Sequence, residues 1–189
     1  MSNSHDGRDV DVHTISIAGV ARSLPLFEVA PGLRIAVLNI LGDTELVTAS
    51  AKELATRLDP DHYDVLVTAE AKSIPLIHQL SVETGSPYVV LRKMYRPYMG
   101  EAIRAETQSI TTGTLQTLFL DQKDASLVRG ARVVLVDDVI STGSTSRGMS
   151  QIVQAAGGEV VGEVAILTEG DAEAHARVVS LGHLPLFED

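Results

Sequence analysis

Two adjacent carboxylates, Asp137 and Asp138, stand two residues before a run of hydroxyls around one glycine, Ser141-Thr142-Gly143-Ser144-Thr145. An apolar run from Val133 to Val136 leads into them, and a stretch with apolar residues on one face leads away from Ser144. In open α/β sheets a ligand sits beyond the carboxyl ends of the strands, where loop amides and a helix N-terminus converge on an anion. Gly143 permits close approach of the backbone, and the hydroxyls of Ser141, Thr142, Ser144 and Thr145 add donors that carry no charge. The segment therefore suits a phosphate. The two carboxylates would repel that phosphate, so their better use is to accept hydrogen bonds from vicinal sugar hydroxyls. The expected ligand is a ribose 5-phosphate.

Such a site needs parallel strands whose ends lie side by side, and the rest of the chain supplies them. Residues Thr44 to Leu58 place Val47, Ala51, Leu54, Ala55 and Leu58 on one helical face, with Asp43 as N-cap. Val65 to Ala69 is a short apolar run, a helix is predicted from Ser73 to Gly85, and Tyr88 to Leu91 completes a β-α-β unit. Apolar runs without alternation imply parallel strands buried on both faces. A strand over Ala131 to Asp137, a helix over Ser144 to Ala156 stopped by Gly157, and a strand over Val160 to Leu167 repeat the pattern. Met94 to Gly113 is polar without a clear period and reads as a long loop, followed by a strand over Thr114 to Leu120. Thr14 to Ile40 reads as short strands joined by turns. The tail from Glu169 is mixed, with Leu184 to Phe187 expected to pack back on the domain.

The segment Val136 to Thr145 resembles the binding signature of type I phosphoribosyltransferases, and Glu70-Ala71-Lys72-Ser73-Ile74-Pro75 with Arg92-Lys93 is similar to the purine branch of that family. From about Asp43 to Glu169 the chain resembles adenine phosphoribosyltransferases and the archaeal hypoxanthine/guanine enzymes, the Thr112-Gly113 pair included. The resemblance implies an α/β fold with a central, mainly parallel sheet flanked by helices, and a small hood formed by residues 13–42 and 169–189. It implies that Asp137, Asp138, Val139 and Ser141 to Thr145 hold the ribose 5-phosphate of phosphoribosyl pyrophosphate. Glu70, Ala71, Lys72, Ser73, Arg92 and Lys93 would face the pyrophosphate, with Asp137, Asp138, Arg92 and Lys93 as the catalytic set. Residues 94–112 would be a mobile catalytic loop that closes over the site. Mg²⁺ is the implied cofactor, arriving with the substrate and reaching Asp137 and Asp138 only indirectly. A homodimer is the implied assembly. One departure stands out: the family usually has Gly where this sequence has Ser73, in a loop that in relatives can take an unusual peptide geometry.

Bulk properties narrow the alternatives. At 189 residues, 44% hydrophobic and 21% charged, the chain fits one compact domain, with residues 1–12 expected to be disordered. It has no cysteine, which removes disulfides, thiolate metal sites and a thiol nucleophile. No apolar run approaches the ~18 residues of a membrane span, and the polar, acidic start is unlike a signal peptide, so a cytoplasmic protein is expected. The net charge of −10 argues against a nucleic-acid partner. His62, His78, His175 and His183 show no ligand spacing, and no protein-built metal site is predicted. Tyr95, Arg104 and Glu106 read as solvated loop residues. A P-loop NTPase would need a G-x-x-x-x-G-K-[ST] segment, which is missing. A regulator that senses phosphoribosyl pyrophosphate without catalysis would carry a DNA-binding domain ahead of the fold, and an orotate enzyme fits the 70–75 loop less well. The purine base itself is not read from the sequence.

Overall fold

The computed structural model describes residues 11–108 and 115–188. The elements in chain order are β1 (Val12–Ile17), β2 (Val20–Ala30), β3 (Leu33–Ala36), α1 (Thr44–Ala55), β4 (Val65–Ala69), α2 (Ile74–Thr84), β5 (Tyr88–Leu91), β6 (Ile103–Gln108), β7 (Leu115–Leu120), α3 (Ala125–Val128), β8 (Arg132–Ile140), α4 (Ser144–Ala155), β9 (Glu159–Glu169), β10 (Val179–Leu184) and β11 (Phe187–Glu188). Five strands form the central sheet in the order β10-β9-β8-β4-β5, with every neighbouring pair parallel.

Burial on both faces explains the unbroken apolar runs. Leu66, Val134, Val136, Val164 and Ile166 face one core with α1, α2 and the antiparallel strands β1 to β3. Val65, Val67, Val133 and Leu135 face a second core with α4, β7 and α3. Asp43 caps α1 by accepting from the Leu46 amide, and Gly85 ends α2 in the left-handed conformation. The antiparallel hood has the order β1-β2-β3-β11, so the first and the last described strands lie in one sheet.

The structure corrects the sequence reading in three places. Within the long polar segment, Ile103–Gln108 is a strand that pairs antiparallel with Leu115–Leu120. Its signal was brief: Ile103 and Ala105 turn toward the core while Arg104 and Glu106 are exposed. In the tail, Val179–Leu184 is a parallel edge strand beside β9. The link between them, residues 170–178, holds only a single 3₁₀ turn, so no helical period announced a crossover. Asp11 and Val12, expected to be disordered, are tied in: Asp11 pairs with Arg34 at 2.8 Å and its carbonyl accepts from the Leu26 amide. The remainder of that expectation, residues 1–10, lies outside the described residues, as does the Thr112-Gly113 pair.

Candidate active site

Parallel pairing of β8 with β4 and of β4 with β5 brings three strand ends, and the loops that follow them, to one edge of the sheet. The central loop of the three, residues 70–73, lies between the other two.

β8 carries the paired acids out to this edge and α4 begins just beyond. Gly143 is the N-cap of α4, at φ 68°. A non-glycine residue rarely adopts that conformation, which is why glycine stands at the turn. Residues Ser141 to Ser146, with Ile140, Val139 and Asp137, line one hollow of about 50 Å³. The loop thus places the free amides of a helix start, several hydroxyls and one carboxyl around a single space. Two contributors escaped the sequence reading. The Ser146 hydroxyl is buried in this lining with no hydrogen-bond partner among the described residues. Arg147 braces the loop from behind, its Nη1 donating to the Thr142 carbonyl at 3.0 Å. Both lie three or four residues past Gly143, a helical spacing that points back to the loop.

Asp138 is 8% exposed and Asp137 is half-buried. Burial, and then the neighbouring Asp138 carboxylate, push the Asp137 pKa up to about 7, against the lowering effect of the Ser73 hydroxyl. Ser73 is 1% exposed and bridges both acids. Its Oγ lies 2.8 Å from Asp137 Oδ1 and 3.1 Å from Asp138 Oδ1, and it accepts from the Asp138 amide at 2.9 Å. The loop carrying Ser73 has a cis peptide bond between Glu70 and Ala71. Ala71 and Lys72 are exposed.

Glu70 uses both carboxylate oxygens on the third strand end. Oε2 accepts from Arg92 Nε at 2.6 Å and Oε1 accepts from the Lys93 amide at 2.6 Å. Glu70, and then a weaker contact from Tyr98, raise the Arg92 pKa above its ordinary value. Tyr98 was not singled out by sequence; its place in the polar segment gave no period to read. The Arg92 backbone in turn exchanges hydrogen bonds with Phe119 of β7 at 2.9 and 2.8 Å, which fastens the β6-β7 ribbon to the site edge. Lys93 is exposed. Among the described residues no three His, Cys, Asp or Glu side chains cluster as a metal cage. One carboxyl at the hollow, Asp137, with Asp138 beside it in the chain, fits a cation held chiefly by a ligand's own oxygens.

The family description "Phosphoribosyl transferase domain" matches residues 39–179. A hypoxanthine/guanine phosphoribosyltransferase of Methanotorris igneus is 35% identical over 126 residues, 65% of each chain, so the match spans slightly under two thirds of that relative's length. One from Methanococcus voltae is 30% identical over 152 residues, 80% of this chain and 74% of the relative. Among solved structures, adenine phosphoribosyltransferase from Thermoanaerobacter pseudethanolicus superposes with a TM-score of 0.63 at 20% identity, covering 91% of this chain and 95% of that one. The Giardia lamblia enzyme complexed with 9-deazaadenine gives 0.63 at 17% identity, covering 91% and 93%. These two likenesses concern the fold.

Proposed function

The chain belongs to the phosphoribosyl transferase domain family, and from that membership we propose that it transfers the 5-phosphoribosyl group of phosphoribosyl pyrophosphate to a purine base. The observation that carries the reading is the hollow at the end of β8, where Asp137 and the Ser141 to Thr145 loop line one space. The names of the two archaeal relatives add the purine as acceptor.

In this reading the 5-phosphate sits in the hollow, receiving the amides at the start of α4 and the loop hydroxyls. Asp137 and Asp138 accept from the ribose hydroxyls and fix the ring. A purine ring nitrogen attacks C1 while the bond from C1 to the pyrophosphate oxygen breaks, its electron pair leaving with pyrophosphate, and the imidazole N–H proton of the base is released to solvent or to the departing pyrophosphate. Holding both reactants in line, with no covalent protein intermediate, accounts for the rate. Arg92, Lys93, Lys72 and the amides of Ala71 to Ser73 stabilise the leaving pyrophosphate. Glu70 acts on that group through Arg92 and Lys93, since both of its oxygens are engaged there. Mg²⁺, carried by substrate oxygens, supplies further charge neutralisation when bound. A homodimer and a cytoplasmic location complete the proposal.

The test is to offer purified protein with Mg²⁺ and phosphoribosyl pyrophosphate each of adenine, hypoxanthine, guanine and xanthine, following nucleotide formation by absorbance. Turnover of at least one base, lost when Mg²⁺ is chelated, is expected. Tight binding of phosphoribosyl pyrophosphate with no turnover of any base would instead make the chain a sensor. Light scattering reads the assembly, and cell fractionation reads the location.

A further inference from the structure

Ser73 stands where an N-cap serine would serve α2, yet its side chain makes no capping hydrogen bond. It reaches across to the neighbouring strand end. Three contacts meet at its Oγ: Asp137 Oδ1 at 2.8 Å, Asp138 Oδ1 at 3.1 Å and the Asp138 amide at 2.9 Å. A hydroxyl has one proton to give, so it satisfies one carboxylate at a time while the amide occupies a lone pair. At 1% exposure, water does not compete for these positions. In a strand, consecutive side chains point to opposite faces, so two adjacent acids do not come together by default. The shared hydroxyl is what both have in common. It also binds only the Oδ1 atoms, leaving each Oδ2 for another donor.

We propose that Ser73 is a positioning residue whose hydroxyl holds the Asp137 and Asp138 carboxylates in register and locks the 70–73 loop to the end of β8. The sugar-binding and pyrophosphate-binding halves of the site then move as one body. A glycine, the residue that this position carries in the type I resemblance, has no side chain to form the lock. The inference rests on the phosphoribosyl transfer reading above and adds to it a coupling between two loops of this chain. The charged residues on the elements that flank the pair are Glu70 and Lys72 on the loop carrying Ser73, Glu169 at the end of the neighbouring strand β9, and Arg147, which donates to the Thr142 carbonyl. Among the described residues neither carboxylate has an ion-pair partner, and the Ser73 hydroxyl is the side-chain group hydrogen-bonded to both.

The variants are Ser73→Ala and Ser73→Gly, compared with the parent for phosphoribosyl pyrophosphate affinity by calorimetry, for KM and kcat, and for the pH dependence of binding. Folding should survive, because the Asp138 amide keeps Asp137 Oδ1 as a second acceptor at 2.9 Å; thermal unfolding checks it. Loss of a hydrogen bond to charged groups predicts roughly tenfold weaker phosphoribosyl pyrophosphate binding, mostly in KM. It also predicts an upward move of the pH midpoint for binding, since the hydroxyl favours the ionised Asp137. A merely structural residue would leave that midpoint in place. If the parent binds and turns over its substrates while folded Ser73→Ala matches it in affinity and pH midpoint, the coupling is wrong and the transfer reading stands. If the parent itself does not bind phosphoribosyl pyrophosphate, the transfer reading fails, and this inference with it.

Discussion

Burial, and then the neighbouring Asp138 carboxylate, raise the Asp137 pKa from the ordinary 3.8 to about 7. Between those two values the folded protein keeps a proton that the unfolded chain releases. Stability therefore falls as pH rises from about 4 to about 7, and the penalty is complete above that range. Replacing Asp137 by Asn should flatten this part of the stability curve, measured as Tm across pH 5 to 8; an unchanged slope would show that Asp137 titrates normally. The sign reverses for the ligand, because sugar hydroxyls donate best to an ionised carboxylate. Phosphoribosyl pyrophosphate affinity should accordingly rise with pH through about 7. Replacing Asp137 and Asp138 together by Asn should weaken it by ~2 kcal/mol or more, read by calorimetry on a folded double variant. Gly143→Val acts on the other wall. At φ 68° a β-branched side chain is strained, and its Cβ would approach Arg147 Nη1 at 3.4 Å. Binding should fall by roughly two orders of magnitude while stability drops by only about 1–2 kcal/mol, and normal kinetics would place the phosphate elsewhere.

Elements were legible in proportion to how strongly their own residues dictate a period. β4, β8 and β9 sit in the sheet interior, where burial on both faces forces apolar runs, and β5 is a short apolar edge strand beside β4; α1 and α4 bury one stripe against the sheet. Asp137-Asp138 and Gly143 were legible because strand, acids, glycine and helix follow one another without a gap. What the sequence hid depends on partners distant in the chain. β10 is a mixed edge strand fixed by β9, and β6 exists because β7 completes its hydrogen bonds. The Ser73 bridge joins residues 64 and 65 positions apart and leaves no local trace. The ribbon changes how the proposed closing segment should be tested. Deleting Ile103 or Ala105 would open the second core, so the cut belongs farther out. Replacing residues 107–116 by a short Gly/Ser turn should lower kcat by roughly tenfold or more, while phosphoribosyl pyrophosphate still binds at the untouched hollow. Parental kcat in that variant would make the ribbon an ordinary packed hairpin.

Across the whole molecule, the hood and the sheet meet at the same edge as the site. β10 ends at Leu184 opposite Glu169 of β9, and after two intervening residues β11 pairs with β3, so the hood hangs from the carboxyl ends of the strands. Its other tether is Arg22 of β2, whose guanidinium holds Asp43 at 2.7 Å and Glu45 at 2.8 Å at the start of α1. In the proposed transfer, a base joined to C1 of a ribose held by Asp137 and Asp138 would sit at this edge of the sheet, where the hood is also attached. We expect hood residues to set the base that is accepted, independently of the phosphate hollow. Arg22→Ala tests this division. The ion pairs are partly exposed, so their loss should cost little stability, and apolar contacts of Ile17, Leu24 and Ala36 keep the hood on the core. Loosening one tether should raise KM for the base by roughly three- to tenfold through poorer positioning. Affinity for phosphoribosyl pyrophosphate should stay within twofold, because none of its proposed contacts lies in the hood. Equal losses for both substrates would mean that the hood and the sheet edge form one binding unit and that base choice is not set separately.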